Sequence, residues 1–414
     1  MERRDSATVD SVYSLVGVLA QGLARFAYTA IVARLLGASA LADVNLALAV
    51  AILLSLLWPT AAGNAAAAFA RGDDVRFERS LLRGVLISLI PLAAVGAAVA
   101  GLVGGGAEAA VQTAMSTVAW SAYIFGRGVF IGGGRFRTAA VWDVVTGIGA
   151  IGALFGFIAL GWTSWILIPL IVGYLVFATV ALATRNRAHA SLSAGDGSRV
   201  RLTHFIVWNS LALIATNGLM QGSMVVASAF DTPARAGQFA AALSLATPVS
   251  MVAQAVTQAM LPRFGRWSSL PETERLARVR RSTIVLGVLM AGGSLLVALV
   301  VPWVLPLVYG VAFTPAVPLA QGLMVAVFAF SMSVFFAAYL ATVGRARLST
   351  GLTGIGSAVG VATMLVVAGT ETGSVGAVVG AGAGMVVSLV LLGWAVLIGP
   401  RRDGPRPRLG AVHG

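Results

Sequence analysis

The stretch VYSLVGVLAQGLARFAYTAI, Val12 to Ile31, is long and apolar enough to cross a bilayer as one helix, yet it holds an arginine, Arg25. An arginine at the centre of a spanning helix costs about 2.5–3.5 kcal/mol on insertion scales, so such residues usually face a bundle interior or a wet cavity. Arg25 lies about 20 Å from Val12, past the middle of an apolar layer about 30 Å thick. Gln21 and Tyr28, at i−4 and i+3, fall on its side of the helix, as does Ser14. One face is therefore polar. Two readings stay open: a cation facing a cavity, or a side chain that snorkels to the outer headgroups.

The rest of the chain repeats this pattern. Of 414 residues 58% are hydrophobic and 10% charged, which excludes an ordinary soluble domain and leaves a polytopic membrane protein. There is no lysine, and 28 arginines against 15 acids give a net charge of +13. Those arginines follow the loops between apolar spans, so the charge points to membrane topology and not to nucleic acid. No cysteine is present, and the histidines His189, His204 and His413 are scattered; neither a metal nor another cofactor is expected. Arg3 and Arg4 before an apolar run, with Ala38-Ser39-Ala40 beyond it, imitate a secretory signal. The run is too long and is followed by many more spans, so it is expected to be a retained first helix.

Windows of about 20 residues predict twelve helices, near 12–33, 42–70, 81–103, 109–131, 138–160, 164–184, 204–229, 236–261, 283–307, 318–343, 348–368 and 373–398. The second is interrupted by Trp58-Pro59 and Gly63-Asn64, and Pro248 lies in a similar place in the eighth. With an even count both termini share one side. Twenty-four of the 28 arginines fall in the N-terminal tail, alternate loops and the C-terminal tail; the opposite loops hold only Arg34 and Arg235. Both termini are thus expected in the cytoplasm, and the chain in the plasma membrane.

A Ser-, Gly- and Ala-rich stretch divides the helices into two groups of six. The expected divisions are an N-terminal bundle over 1–187, a linker over 188–203, a C-terminal bundle over 204–400 and a tail over 401–414. Ser269-Leu270-Pro271-Glu272 has a capping-box pattern and predicts a short basic helix at the membrane surface. Val32 to Ala42 aligns with Val226 to Ala236 at a spacing of 194, each at the first hairpin of its half. Two like-oriented halves would be related by a pseudo-two-fold axis along the membrane normal.

Several stretches resemble one family. They are Ala33-Arg34-Leu35-Leu36-Gly37, Leu261-Pro262-Arg263-Phe264, Leu307 to Ala316 (LVYGVAFTPA), Gly344-Arg345-Ala346-Arg347-Leu348 and Gly373-Ser374-Val375-Gly376-Ala377. In this order and on these loops the chain resembles the polysaccharide-flippase branch of the superfamily that also holds the multidrug and toxin extrusion transporters. The resemblance implies an all-α membrane protein of two six-helix bundles around a central cavity. It implies alternating access and a lipid-linked oligosaccharide as cargo. Membrane lipids and polysaccharide polymerases or glycosyltransferases would be its partners. The chain departs from that pattern at Asp43 and at Glu371-Thr372. Twelve spans argue against the peptidoglycan-precursor branch, which typically has fourteen.

Polar residues within the spans give the candidate site. Besides Arg25, the charges there are Arg127 and Asp143, at similar depth on consecutive helices; they could form an inner gate, a structural ion pair, or snorkel separately. In the second half Asn217 and Gln221, and likewise Gln254 and Gln258, are spaced i,i+4 and share a helix face. Such amides either glue helices together or line the cavity. Arg25, Gln21, Tyr28, Asn64, Asn217, Gln221, Gln254 and Gln258 form the expected substrate-binding set. Sugar hydroxyls want donors and acceptors, and a pyrophosphate favours a guanidinium fork.

Three functions compete. A flippase for undecaprenyl-pyrophosphate-linked sugars follows from the resemblance and Arg25. A cation-coupled multidrug exporter of the same superfamily usually needs a membrane-embedded carboxylate, and the first helix has none beyond Asp10 at its entrance. A polysaccharide ligase or polymerase would need reactive groups on a large outer loop, whereas these loops are short, so the chain is not expected to be an enzyme.

Overall fold

A computed structural model describes residues 2–69, 75–184, 196–267 and 270–398. The first half comprises α1 (Glu2–Leu36), α2 (Ala38–Ser55), α3 (Pro59–Phe69), α4 (Val75–Leu102), α5 (Ala107–Gly132), α6 (Phe136–Ala159) and α7 (Ile168–Ala183). The second comprises α8 (Asp196–Leu213), a π-helical turn (Ile214–Gly218), α9 (Leu219–Phe230), α10 (Pro233–Trp267), α11 (Glu272–Tyr309), α12 (Val317–Thr342), α13 (Ala346–Thr370) and α14 (Gly373–Leu397). Among the described residues eleven helical segments are long and apolar enough to cross a membrane. The twelfth crossing expected from the sequence is α5, 26 residues long but too polar to reach that threshold. Its Gln112, Thr113, Ser116, Thr117 and Ser121 are buried inside the protein, away from lipid. Gln112 donates to the Ser164 carbonyl at 2.7 Å and Thr117 to the Thr113 carbonyl at 2.8 Å.

The helices form two six-helix bundles of like design. In the first, α5 sits at the centre against α2, α3, α4, α6 and α7; in the second, α12 packs against α10, α11, α13 and α14. The corresponding pairs recur in the same order, as two repeats require.

Local chemistry sets the breaks. The second predicted helix ends at Ser55 and resumes at Pro59, which supplies no N–H to the chain before it. The Leu57 carbonyl freed there accepts from Ser210 Oγ at 2.7 Å, across the bundle interface. Pro248 acts differently: α10 runs unbroken past it. The carbonyl it leaves without an i+4 donor is that of Ser244, which borders the cavity described below, where such a group is tolerated.

One expectation is corrected. The basic segment after Pro271 is not a separate surface helix but the first turns of α11, continuous over 38 residues; Pro271 precedes it without a side-chain cap, and Ser269 lies outside the described residues. Of the expected linker, residues 188–195 lie outside the described residues and 196–203 already belong to α8. The tail 401–414 also lies outside them.

Close approach needs glycine in two places. On α14, Gly376, Gly380 and Gly384 let α13 in: a Cβ on Gly380 would stand 2.7 Å from the Gly360 carbonyl oxygen. Between the bundles, α10 crosses the start of α2 at Gly237, where a Cβ would overlap the Ala38 carbonyl oxygen and lie 2.9 Å from Ala38 Cα. The two aligned hairpins of the sequence repeat therefore meet each other.

Candidate functional site

A cavity of about 330 Å³ lies between the bundles. Its wall runs along α1 from Val18 to Thr29, along α2 from Asn45 to Ser55, and along α10 from Leu243 to Gln254. One turn further along each helix, toward the face opposite the chain termini, come Ala33, Leu41 and Phe239, packed into a single core and at most 2% exposed. The cavity is therefore closed on that face. On the arginine-rich face its wall extends to Arg127 and Gln254.

Arg25 lines this cavity, half-buried, and among the described residues no group is hydrogen-bonded or ion-paired to its guanidinium. Of the two readings, that placement is the one facing a cavity between the bundles. Gln21, one turn before, also borders the cavity and donates to the Tyr174 hydroxyl at 3.4 Å. Behind α1 a second, narrow space of about 20 Å³ is shared by Gln21, Arg25, Tyr123, Asp143 and Tyr174.

Asp143 is 2% exposed and accepts from two donors on α5: the Tyr123 hydroxyl at 2.7 Å and Arg127 Nε at 3.3 Å. Tyr123 and Arg127, four residues apart on one helix face, both border the main cavity. The carboxylate also presses on α1, where a Cβ on Gly17 would come within 2.7 Å of Asp143 Oδ2. Arg127 and Asp143 thus pair as the sequence allowed. The pair holds the Arg127 guanidinium beside the cavity.

The opposite wall is neutral and polar. Asn217, Gln221, Ser244, Thr247, Ser250 and Gln254 face the cavity from the π-helical turn, α9 and α10. Asn217 belongs to the π-helical turn, whose Ala215 carbonyl accepts from Ser357 Oγ at 2.6 Å, and its amide donates to Thr216 Oγ1 at 2.9 Å. Ser244 Oγ donates to Asn45 Oδ1 at 3.4 Å, a polar link across the cavity.

Of the expected binding set, Arg25, Gln21, Asn217, Gln221 and Gln254 come together. Tyr28 does not: it is fully buried in the core of the first bundle, its hydroxyl donating to the Ile166 carbonyl, because it stands about 60° round α1 from Arg25 and about 100° from Thr29, on the edge turned to the first bundle. Asn64 does not either; its amide donates to Asn209 Oδ1 at 2.9 Å and joins α3 to α8. The side chain of Gln258 lies outside the described residues. Sequence reasoning missed Asn45, Trp120 and Tyr123 in the wall; the i,i+4 spacing of Tyr123 and Arg127 was the available signal for the last.

No protein-family model matches the sequence, and a search of the curated proteins finds no match. Solved structures do match the fold. The inward-facing conformation of a multidrug resistance MATE family transporter of the MOP superfamily superposes with a TM-score of 0.67 at 17% identity, over 91% of this chain and 96% of that one. The eukaryotic MATE transporter AtDTX14 gives 0.63 at 15% identity, over 95% and 96%. A point mutant of the Vibrio cholerae MATE transporter VcmN gives 0.62 at 13% identity, over 95% and 95%. The chain has a MATE-like fold.

Proposed function

We propose that this chain is a membrane transporter that exposes the inter-bundle cavity alternately to the two faces, and that its cargo is a small amphipathic organic anion. The observation that carries this is the cavity itself: closed at one face, walled by both bundles, and holding Arg25, unpaired among the described residues, in the same wall as Arg127. A volume of about 330 Å³ is at the low end of small-molecule sites. It suits a compact organic molecule better than a sugar chain on a lipid, and the solved transporters of this fold include a multidrug resistance protein. Both points favour the exporter over the flippase. The charge of the wall then favours anions, since an unpaired guanidinium in a low-dielectric site repels cations and gains from a carboxylate or phosphate fork.

The flippase remains the second reading because the same wall pairs a guanidinium with amides and hydroxyls, the groups that a phosphorylated sugar would use. One comparison separates the two. Expression should raise a host's tolerance of amphipathic organic anions and leave a flippase-deficient strain without surface polysaccharide. Restored polysaccharide with unchanged tolerance would reverse the order.

A further inference from the structure

We infer that the contact of Gly237 with Ala38 is the seal that holds this conformation closed on the face opposite the termini, and that its tightness sets the balance between the two states. This rests on the transporter reading above. Three observations carry it.

First, the contact joins the bundles where α10, one residue past the aligned hairpin Val226 to Ala236, meets Ala38 of the aligned hairpin Val32 to Ala42, on the closed side of the cavity. A rocking of one bundle against the other must part this contact, so it belongs to one state only. Second, it leaves no room for any side chain: a Cβ on Gly237 would overlap the carbonyl oxygen of Ala38, which is backbone and cannot rotate away. Third, small residues among the larger Leu41 and Phe239 of this layer let the helices approach. Ala33, Ala240 and Ala241 are buried there, and Arg34 Nη1 donates to the Leu307 carbonyl at 2.6 Å as a clasp between α1 and α11. By contrast, Gly222 on α9 has open space where its Cβ would be.

A methyl group at position 237 therefore acts only against the closed form. Differential interaction with two states is what shifts a population, and a clash confined to one of them is such a difference. Gly237→Ala should leave the bundles intact and move the chain toward the state open on the opposite face. Arg34→Ala, which removes the clasp and no packing, should move it the same way by less.

The chain has no cysteine, so a single reporter is unambiguous. Ser244→Cys, nearly isosteric and on the cavity wall, is labelled with a membrane-impermeant maleimide from either face of reconstituted vesicles. The expected result is labelling mainly from the arginine-rich face in the parent and, with Gly237→Ala added, about tenfold faster labelling from the opposite face. Gly222→Ala should change nothing. Folded Gly237→Ala protein with the parent's pattern would overturn the inference. Should Gly237→Ala fail to fold, an unchanged pattern in Arg34→Ala overturns it alone. Uptake of 4-methylumbelliferyl glucuronide by parent vesicles, measured alongside, separates the two levels: uptake with unmoved labelling removes the seal only. A parent with neither uptake nor labelling from the opposite face removes the transporter reading and the seal together.

Discussion

Arg127 Nε stands 3.3 Å from Asp143 Oδ2, and the two partners live in different surroundings: the carboxylate side chain is 0% exposed, whereas the guanidinium, 13% exposed, borders the cavity. Loss of either partner is therefore unequal in cost. Arg127→Ala strands a buried carboxylate that retains only the Tyr123 hydroxyl, a change worth about 3–5 kcal/mol. Asp143→Asn removes the buried charge itself and leaves Arg127 at the border of the cavity. Thermal unfolding of purified protein should show a larger loss for Arg127→Ala than for Asp143→Asn, with the double variant more stable than Arg127→Ala alone. Equal and additive losses would mean that the pair is not coupled.

The arginine distribution predicts topology. Reporters fused after Leu160 and Gly369 should read outside, and those after Arg137, Ser193 and Arg347 inside. An inside signal after Leu160 would break the even count of crossings that α5 completes.

Glycine spacing on α14 predicts a contrast within one helix. Gly380 faces the α13 backbone, while Gly382 has open space around the position of its Cβ. Gly380→Leu should lower stability by about 1–3 kcal/mol through forced displacement of α13, and Gly382→Ala should leave the melting temperature near the parent's. Equal effects at the two positions would contradict this packing.

Much of the fold was legible because membrane helices announce themselves by length and hydropathy, and loop arginines supply a second, independent signal. The break before Pro59 was readable from the missing N–H; the π-helical turn at Ile214–Gly218 was not, since no proline or glycine pair forces it. The basic start of α11 misled because a charged amphipathic run has the same composition whether it lies on the surface or prolongs a spanning helix. At the site, the deep charges were found because a buried charge needs a reason. Tyr28 was misplaced since positions 28 and 29, i+3 and i+4 from Arg25, point about 100° apart, and of the two only Thr29 borders the cavity. Asn64 shows the limit of polarity as a guide: its partner Asn209 lies 145 residues away, a contact that only the docking of two bundles creates.

The most direct test of the transporter account is uptake of 4-methylumbelliferyl glucuronide into vesicles holding the parent, Arg25→Lys or Arg25→Ala at matched protein levels. A guanidinium that grips the anion predicts falling uptake in the order Arg, Lys, Ala, with the alanine variant down about tenfold or more. Ethidium, a cation, should not follow that order. Undiminished uptake of the glucuronide by Arg25→Ala would contradict the account and leave Arg25 without a role in recognising cargo.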